Sequence, residues 1–128
     1  MVVDSSALVA VVLEEPHAVH FLTRLTQATF LNISAVTLTE ASIVLLSRGG
    51  RVKVDILDAL LERLEVEVIP VDRTQCLLAR DAFDRYGKGR DKARLNLGDC
   101  FAYALAMYFG EPLLFQGNDF AETDVLRA

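Results

Sequence analysis

The 128-residue sequence is poor in cysteine and histidine, with two of each. Cys76 and Cys100 both lie in apolar stretches with helical spacing. This setting favours reduced core residues in a cytoplasmic protein over a disulfide. His17 and His20 are too few and too close together to form a catalytic histidine system. We interpret them as part of a solvated helix start.

Long apolar runs and phosphate-binding glycine motifs are also missing. The chain has no run of 18 or more apolar residues, so no spanning helix is expected. The N-terminus has no basic region and reaches Asp4 at once, which predicts that no signal peptide is present. Neither a P-loop nor a GxGxxG motif occurs. With 52% hydrophobic and 24% charged residues, the composition is globular, and we expect a single domain over residues 1–128.

The net charge of −5 argues against a protein that holds nucleic acid by charge alone. The positive charges are nevertheless unevenly distributed, because residues 85–94 contain five lysines and arginines. A solvated loop is the usual explanation for such a run, and contact with RNA is the alternative. In that alternative, the residues that contact phosphates are Lys88, Arg90, Lys92 and Arg94.

Apolar strand-like segments alternate with helical patterns along the whole chain. This alternation predicts an α/β fold of three layers, with a central and mainly parallel sheet of four to five strands. The predicted strands cover residues 1–3, 30–34, 65–71 and 112–115, with 125–126 as a short fifth strand. The predicted helices cover residues 7–13, 17–28, 37–48, 54–64, 72–86 and 99–109.

Four acidic residues fall at the edge of this sheet where parallel strands end, which is where such folds bind ligands. Each has an ordinary explanation: Asp4 and Asp99 as helix caps, Glu40 in a capping box with Thr37, and Asp119 in a turn. Together, however, four carboxylates would repel one another strongly without a compensating cation.

A site built only from carboxylates suits Mg²⁺ or Mn²⁺ better than zinc. Such ions polarise phosphoryl groups and activate water, and no Ser-His-Asp or Cys-His arrangement offers another route. The residues therefore favour metal-assisted hydrolysis of a phosphodiester.

Four segments of the chain resemble PIN-domain ribonucleases, specifically the VapC-type toxins of type II toxin–antitoxin pairs. The order and spacing of the segments support the resemblance, which covers essentially the whole chain. The segments are Val3-Asp4-Ser5-Ser6-Ala7-Leu8, Thr39-Glu40-Ala41, the run from Leu95 to Ala106 containing Leu97-Gly98-Asp99-Cys100, and the run from Pro112 to Phe120.

The resemblance implies a role for individual residues. Asp4, Glu40 and Asp99 match the three family acids that gather a divalent metal. Asp119 matches the fourth acid, and the neighbouring Asn118 could share or replace its role. A further residue, Ser6, occupies a position where a small hydroxyl residue commonly supports the site.

The resemblance also implies an activity and partners. It indicates a Mg²⁺- or Mn²⁺-dependent endoribonuclease that forms a homodimer and is inhibited by a VapB-type antitoxin. The antitoxin is expected to lie across the acidic site with a basic side chain in it. The predicted helix over 54–64 is a candidate for antitoxin or dimer contact, with ordinary core packing equally open.

Three other protein classes fit the sequence less well. A receiver domain needs an acidic pair after the first strand and a lysine after the fifth, but Asp4 stands alone and no lysine follows Lys92. A phosphatase of the haloacid dehalogenase type needs Asp-x-Asp at the first strand, where Ser6 takes the second position. A non-catalytic PIN domain that acts only as a binding module is disfavoured because all four acids are present.

Overall fold

The computed structural model describes residues 1–128, and its elements follow the predicted alternation of strands and helices. Six helices surround four short strands. In chain order they are β1 (Val2–Val3), α1 (Ser5–Val12), α2 (Ala18–Gln27), β2 (Asn32–Ser34), α3 (Ala35–Gly49), α4 (Arg51–Arg63), β3 (Glu67–Ile69), α5 (Arg73–Tyr86), α6 (Leu97–Phe109) and β4 (Leu113–Leu114).

The four strands form one sheet in the order β3-β2-β1-β4, and every pair is parallel. The predicted α/β fold with a parallel sheet is therefore confirmed. The predicted fifth strand is reduced to a single bridge beside β4, between Leu113 and Arg127. Two hydrogen bonds hold it: the Leu113 amide donates to the Leu126 carbonyl at 2.8 Å, and the Ala128 amide donates to the Leu113 carbonyl at 2.9 Å.

The sheet separates two hydrophobic cores, and its central strands contribute to both. Side chains alternate between the faces of a strand, so Val3 packs with α1 to α4 on one face while Val2 packs with α5 and α6 on the other. Leu114 and Leu113 in β4 divide in the same way. These four residues are almost completely buried, which explains why β1 and β4 are uniformly apolar despite their shortness.

The boundaries of three predicted elements need correction. Helix α3 begins at Ala35 instead of residue 37, because the Ser34 hydroxyl caps it by accepting a hydrogen bond from the Val36 amide at 3.3 Å. Strand β3 is limited to Glu67–Ile69 and lies at the sheet edge, and α4 starts at Arg51 directly after Gly50. The prediction that Asp72 caps the following helix is confirmed.

The minor sequence predictions have mixed outcomes. Both cysteines are unpaired, but only Cys100 is buried, so Cys76 is not a core residue. His17 and His20 are exposed at the start of α2, as predicted. None of the six helices is long and apolar enough to cross a membrane.

Candidate active site

Asp4 follows β1 directly and is only 2% exposed. It caps α1, which confirms the helix-cap interpretation of this residue. Its Oδ2 atom accepts hydrogen bonds from the Ser6 amide at 3.0 Å and from the Ser6 hydroxyl at 2.5 Å. The cap uses only one oxygen, however. The buried Oδ1 atom has no hydrogen-bond partner, which is unusual for a buried carboxylate.

Asp99 lies in the first turn of α6 and is 8% exposed. The helix cap is Asn96, three residues earlier than predicted. Asn96 and Asp99 form a reciprocal capping box. The backbone N–H of Asp99 donates to Asn96 Oδ1 at 2.9 Å, and the backbone N–H of Asn96 donates to Asp99 Oδ2 at 3.0 Å. The capping box fixes the carboxylate of Asp99 at the sheet edge where Asp4 lies.

Glu40 does not form the predicted capping box with Thr37, because α3 starts two residues earlier than predicted. Its carboxylate instead reaches across to α1, where Oε1 accepts a hydrogen bond from the Ser5 hydroxyl at 2.5 Å. Gly98 lies on the other side of this carboxylate. A methyl group at Gly98 would overlap the Glu40 carboxylate, so the absence of a side chain there lets α6 approach α3.

Asp119 and Asn118 lie in the exposed loop after β4, and neither side chain takes part in a hydrogen bond. The loop is nevertheless tied to the rest of the site. The backbone N–H of Gln116 donates a hydrogen bond to the Ser6 hydroxyl at 2.9 Å, and that hydroxyl donates one to Asp4. Ser6 therefore links the first strand to the loop that carries Asp119.

The four acids are close enough to influence one another electrostatically. The pKa of Asp99 is raised from 3.8 to about 7, chiefly by burial, with a smaller rise from the charges of Asp4, Asp119 and Glu40 and an opposing hydrogen bond from the Asn96 backbone. Burial likewise raises the pKa of Asp4 to about 6, opposed by its hydrogen bonds from Ser6 and assisted by Glu40. Both aspartates are thus held in surroundings that penalise their charged forms.

A divalent cation would relieve this penalty. The donors are carboxylate oxygens alone, the set that Mg²⁺ and Mn²⁺ prefer. The unpartnered Oδ1 of Asp4 provides a free ligand atom at the bottom of the site. No three acidic, histidine or cysteine side chains already form a complete cage for a metal. The residues therefore fit a cation in their chemistry, although their side chains are not gathered around one point.

The predicted RNA-binding residues divide into two pairs. Arg90 and Lys92 are engaged in ion pairs, with Asp84 at 2.5 Å and Glu122 at 2.8 Å. Lys88 and Arg94 are in no ion pair. Part of the basic stretch is therefore neutralised within the protein.

Sequence reasoning missed two residues that shape the site. The sequence alone assigned Ser5 no role in the site, although its hydroxyl donates a hydrogen bond to Glu40. Asn96 was not recognised as the cap of α6. The signal for it was available, because Asn followed three residues later by an acidic residue is a variant of the capping-box pattern.

The comparison with known families agrees with this arrangement. The family model described as PIN domain matches residues 1–126. The chain belongs to the PIN-domain family.

Similar proteins place this PIN domain among the VapC ribonucleases. It is 45% identical over 125 residues to a protein of Mycolicibacterium smegmatis named ribonuclease VapC, covering 98% of this chain and 97% of that protein. It is 43% identical over 129 residues to ribonuclease VapC28 of Mycobacterium tuberculosis, covering 100% and 97% of the two chains.

Solved structures share the fold of the PIN domain. The crystal structure of Mycobacterium tuberculosis VapC20, described as a toxin that cleaves the sarcin-ricin loop, has a TM-score of 0.81 at 18% identity and covers 99% of this chain and 97% of that one. A toxin–antitoxin complex from Klebsiella pneumoniae has a TM-score of 0.72 at 16% identity and covers 99% and 95%.

The site predicts that Mn²⁺ stabilises the folded PIN domain. Ligand binding to the folded state alone adds about 2.7 kcal/mol at an ion concentration 100 times Kd. We expect Mn²⁺ to raise the melting temperature of the parent and to have a much smaller effect on Asp99→Asn, measured by thermal unfolding with chelator as reference. Because the substitution removes a buried charge from the cluster, its own melting temperature in chelator should equal or exceed that of the parent. An equal Mn²⁺ effect in both proteins would contradict the site.

Proposed function

We propose that this chain is the toxin of a toxin–antitoxin pair and a Mg²⁺- or Mn²⁺-dependent endoribonuclease. Membership of the VapC ribonucleases supports the general class. The observation that carries the metal-dependent chemistry is the buried pair Asp4 and Asp99, whose raised pKa values and unpartnered Oδ1 atom are suited to a cation.

The carboxylates have distinct roles in this proposal. Asp4 and Asp99 hold the principal metal, and Glu40 and Asp119 contribute ligands directly or through water. When bound, a divalent cation polarises the phosphoryl group and makes water a stronger acid. No side chain acts as a covalent nucleophile, because no serine, cysteine or histidine in the site is paired as an activated nucleophile and base.

The surrounding residues orient the acids. Ser6 fixes one oxygen of Asp4 and leaves the other without a hydrogen-bond partner. Ser5 holds one oxygen of Glu40 from the neighbouring position. In this proposal Asn118, which lies beside Asp119 in the loop, shares the role of Asp119 through its neutral oxygen. These contacts reduce the conformational freedom that the ligands would lose on binding a metal.

A groove next to Glu40 supports the proposed antitoxin. Its volume is about 710 Å³, and it lies between α3, the end of β3 and the start of α6. Its walls include Ile43, Pro70 and Leu97, of which Ile43 and Leu97 are largely exposed. We propose that an apolar segment of a VapB-type antitoxin occupies it, with a basic side chain directed to the carboxylates.

The proposed homodimer rests on apolar side chains outside both cores. Leu46 on α3 and both Val52 and Ile56 on α4 are more than two-fifths exposed. Exposed apolar residues on adjacent helices are typical of subunit interfaces. We propose that this surface joins two copies of the chain.

The decisive experiment is cleavage of total RNA by the purified protein. We expect cleavage in Mg²⁺ or Mn²⁺, its loss in chelator, and no detectable cleavage by Asp99→Asn, because the charge that holds the cation is gone. Circular dichroism would verify that the variant is folded. Cleavage at the parent rate by the folded Asp99→Asn protein would overturn the assignment.

Gly98 gives a test of Glu40 that leaves every carboxylate in the chain. Gly98→Ala should displace the Glu40 carboxylate and reduce the cleavage rate strongly, because the clash involves the end of a flexible side chain. Alanine in a helix is more favourable than glycine by about 0.5–1 kcal/mol. The melting temperature of Gly98→Ala should therefore fall much less than its cleavage rate.

Gly49→Ala is the matched control for this substitution. Gly49 also lies in a helix, and its added methyl group would displace only the flexible side chain of Lys53. We expect it to retain the parent cleavage rate. Equal rates for the two variants would exclude a role for Glu40 in the reaction.

The basic stretch allows a paired test of RNA contact. Replacing Lys88 and Arg94 together by glutamine should weaken RNA binding and reduce its dependence on salt, because these side chains are in no ion pair. Replacing Arg90 and Lys92 should have a smaller effect, since both are already neutralised by carboxylates. Binding of labelled RNA to the Asp99→Asn protein over a range of salt concentrations measures both. An unchanged salt dependence in both double variants would refute RNA contact by this stretch.

A further inference from the structure

A second cavity of about 540 Å³ lies on the opposite side of Asp4 from the apolar groove, between α2, the end of β4 and the C-terminal residues. Its volume falls within the range of about 300–1,000 Å³ that is typical of small-ligand sites. Three of its lining residues carry groups that bind anions, namely His17, His20 and Arg127. None of the three is in an ion pair.

Arg127 is held in place from two directions. Its guanidinium lies 4.7 Å from the centre of the Phe115 ring, within the range of a cation–π contact. Its backbone is the bridge residue beside β4, flanked by the hydrogen bonds of Leu126 and Ala128 to Leu113. An arginine fixed in this way binds a phosphate at a lower entropic cost than a free surface arginine.

The histidines supplement Arg127 from the other wall of the cavity. His17 and His20 are both exposed at the start of α2 and line the same space. A histidine ring carries an N–H donor in its neutral as well as its charged form, so each can donate to a phosphate oxygen. The nearby carboxylate of Glu15 does not cancel this character. It accepts a hydrogen bond from Gln116 Nε2 at 3.0 Å and is paired with Arg48 at 3.2 Å.

The cavity is linked to the acidic site by the loop after β4. Gln116, Gly117 and Asn118 line it, and Asp119 is the next residue. The backbone N–H of Gln116 is hydrogen-bonded to the Ser6 hydroxyl, which in turn is hydrogen-bonded to Asp4. One wall of the cavity is therefore also the support of the carboxylate cluster.

We propose that this cavity binds a nucleotide of the RNA substrate adjacent to the cleaved bond, with Arg127, His17 and His20 contacting its phosphate. This inference rests on the proposed ribonuclease function. An acidic centre repels the RNA backbone, so flanking phosphates need positive or hydrogen-bonding groups on the protein. The basic stretch supplies some on one side, and this cavity supplies them on the side of α2.

The test measures binding of a fluorescein-labelled single-stranded RNA of random sequence to Asp99→Asn protein, so that no cleavage intervenes. Arg127→Gln and the pair His17→Gln with His20→Gln are compared in this background. Each lost phosphate contact on a single strand lowers the slope of log K against log salt by about 0.7. We expect that decrease and weaker binding for Arg127→Gln, recovery of the slope in Arg127→Lys, and weaker binding for the histidine pair.

Arg24→Gln is the matched control. Arg24 lies on the same helix as His20 and is in no ion pair, but it lines a separate cavity with Met1 and Glu111. It should leave the slope unchanged. If Arg127→Gln and the histidine pair behave like Arg24→Gln while the wild-type protein cleaves RNA, the cavity is not a nucleotide site. If the wild-type protein neither binds nor cleaves RNA, the proposed function fails and this inference fails with it.

Discussion

The confinement of two carboxylates, Asp4 and Asp99, at one edge of a buried sheet is the constraint around which the molecule is built. Burial and mutual repulsion oppose their charged forms, yet the chain holds both in place through short hydrogen bonds from Ser6 and Asn96. Such an arrangement is costly in a folded protein unless an ion completes it. Two other features of the site accommodate these acids: the serines that donate hydrogen bonds to Asp4 and Glu40, and the glycine that makes room for Glu40.

The surroundings of the acidic centre differ on its three sides, and this asymmetry organises the proposed interactions. The side at Glu40 is apolar and open, which suits a protein segment. The side at residues 85–94 is basic but largely paired within the chain. The side at α2 is less charged overall and carries a fixed arginine with two histidines. In the proposals above, an inhibitor and a substrate therefore approach the same carboxylates by different routes.

The order of strands and helices followed from the sequence because β1 and β4 are apolar on both faces and the helices carry their own apolar periodicity. The first and last residues of the helices and strands were harder to predict from the sequence. The start of α3 depends on whether Ser34 or Thr37 provides the cap, and both are good capping residues. The contact of Glu40 with Ser5 joins residues 35 positions apart, and no local pattern encodes it. The same holds for His17, His20 and Arg127, whose common cavity exists only because the C-terminal segment lies beside β4.

The pleat of β1 has a wider consequence. Val2 and Val3 enter different hydrophobic cores, and Asp4 is the next residue in the same alternation. A shift of one position in the pairing of β1 would exchange the two valines between cores and turn Asp4 away from its partners. Correct register of β1 is therefore needed both to separate the two cores and to place Asp4 beside the other acids.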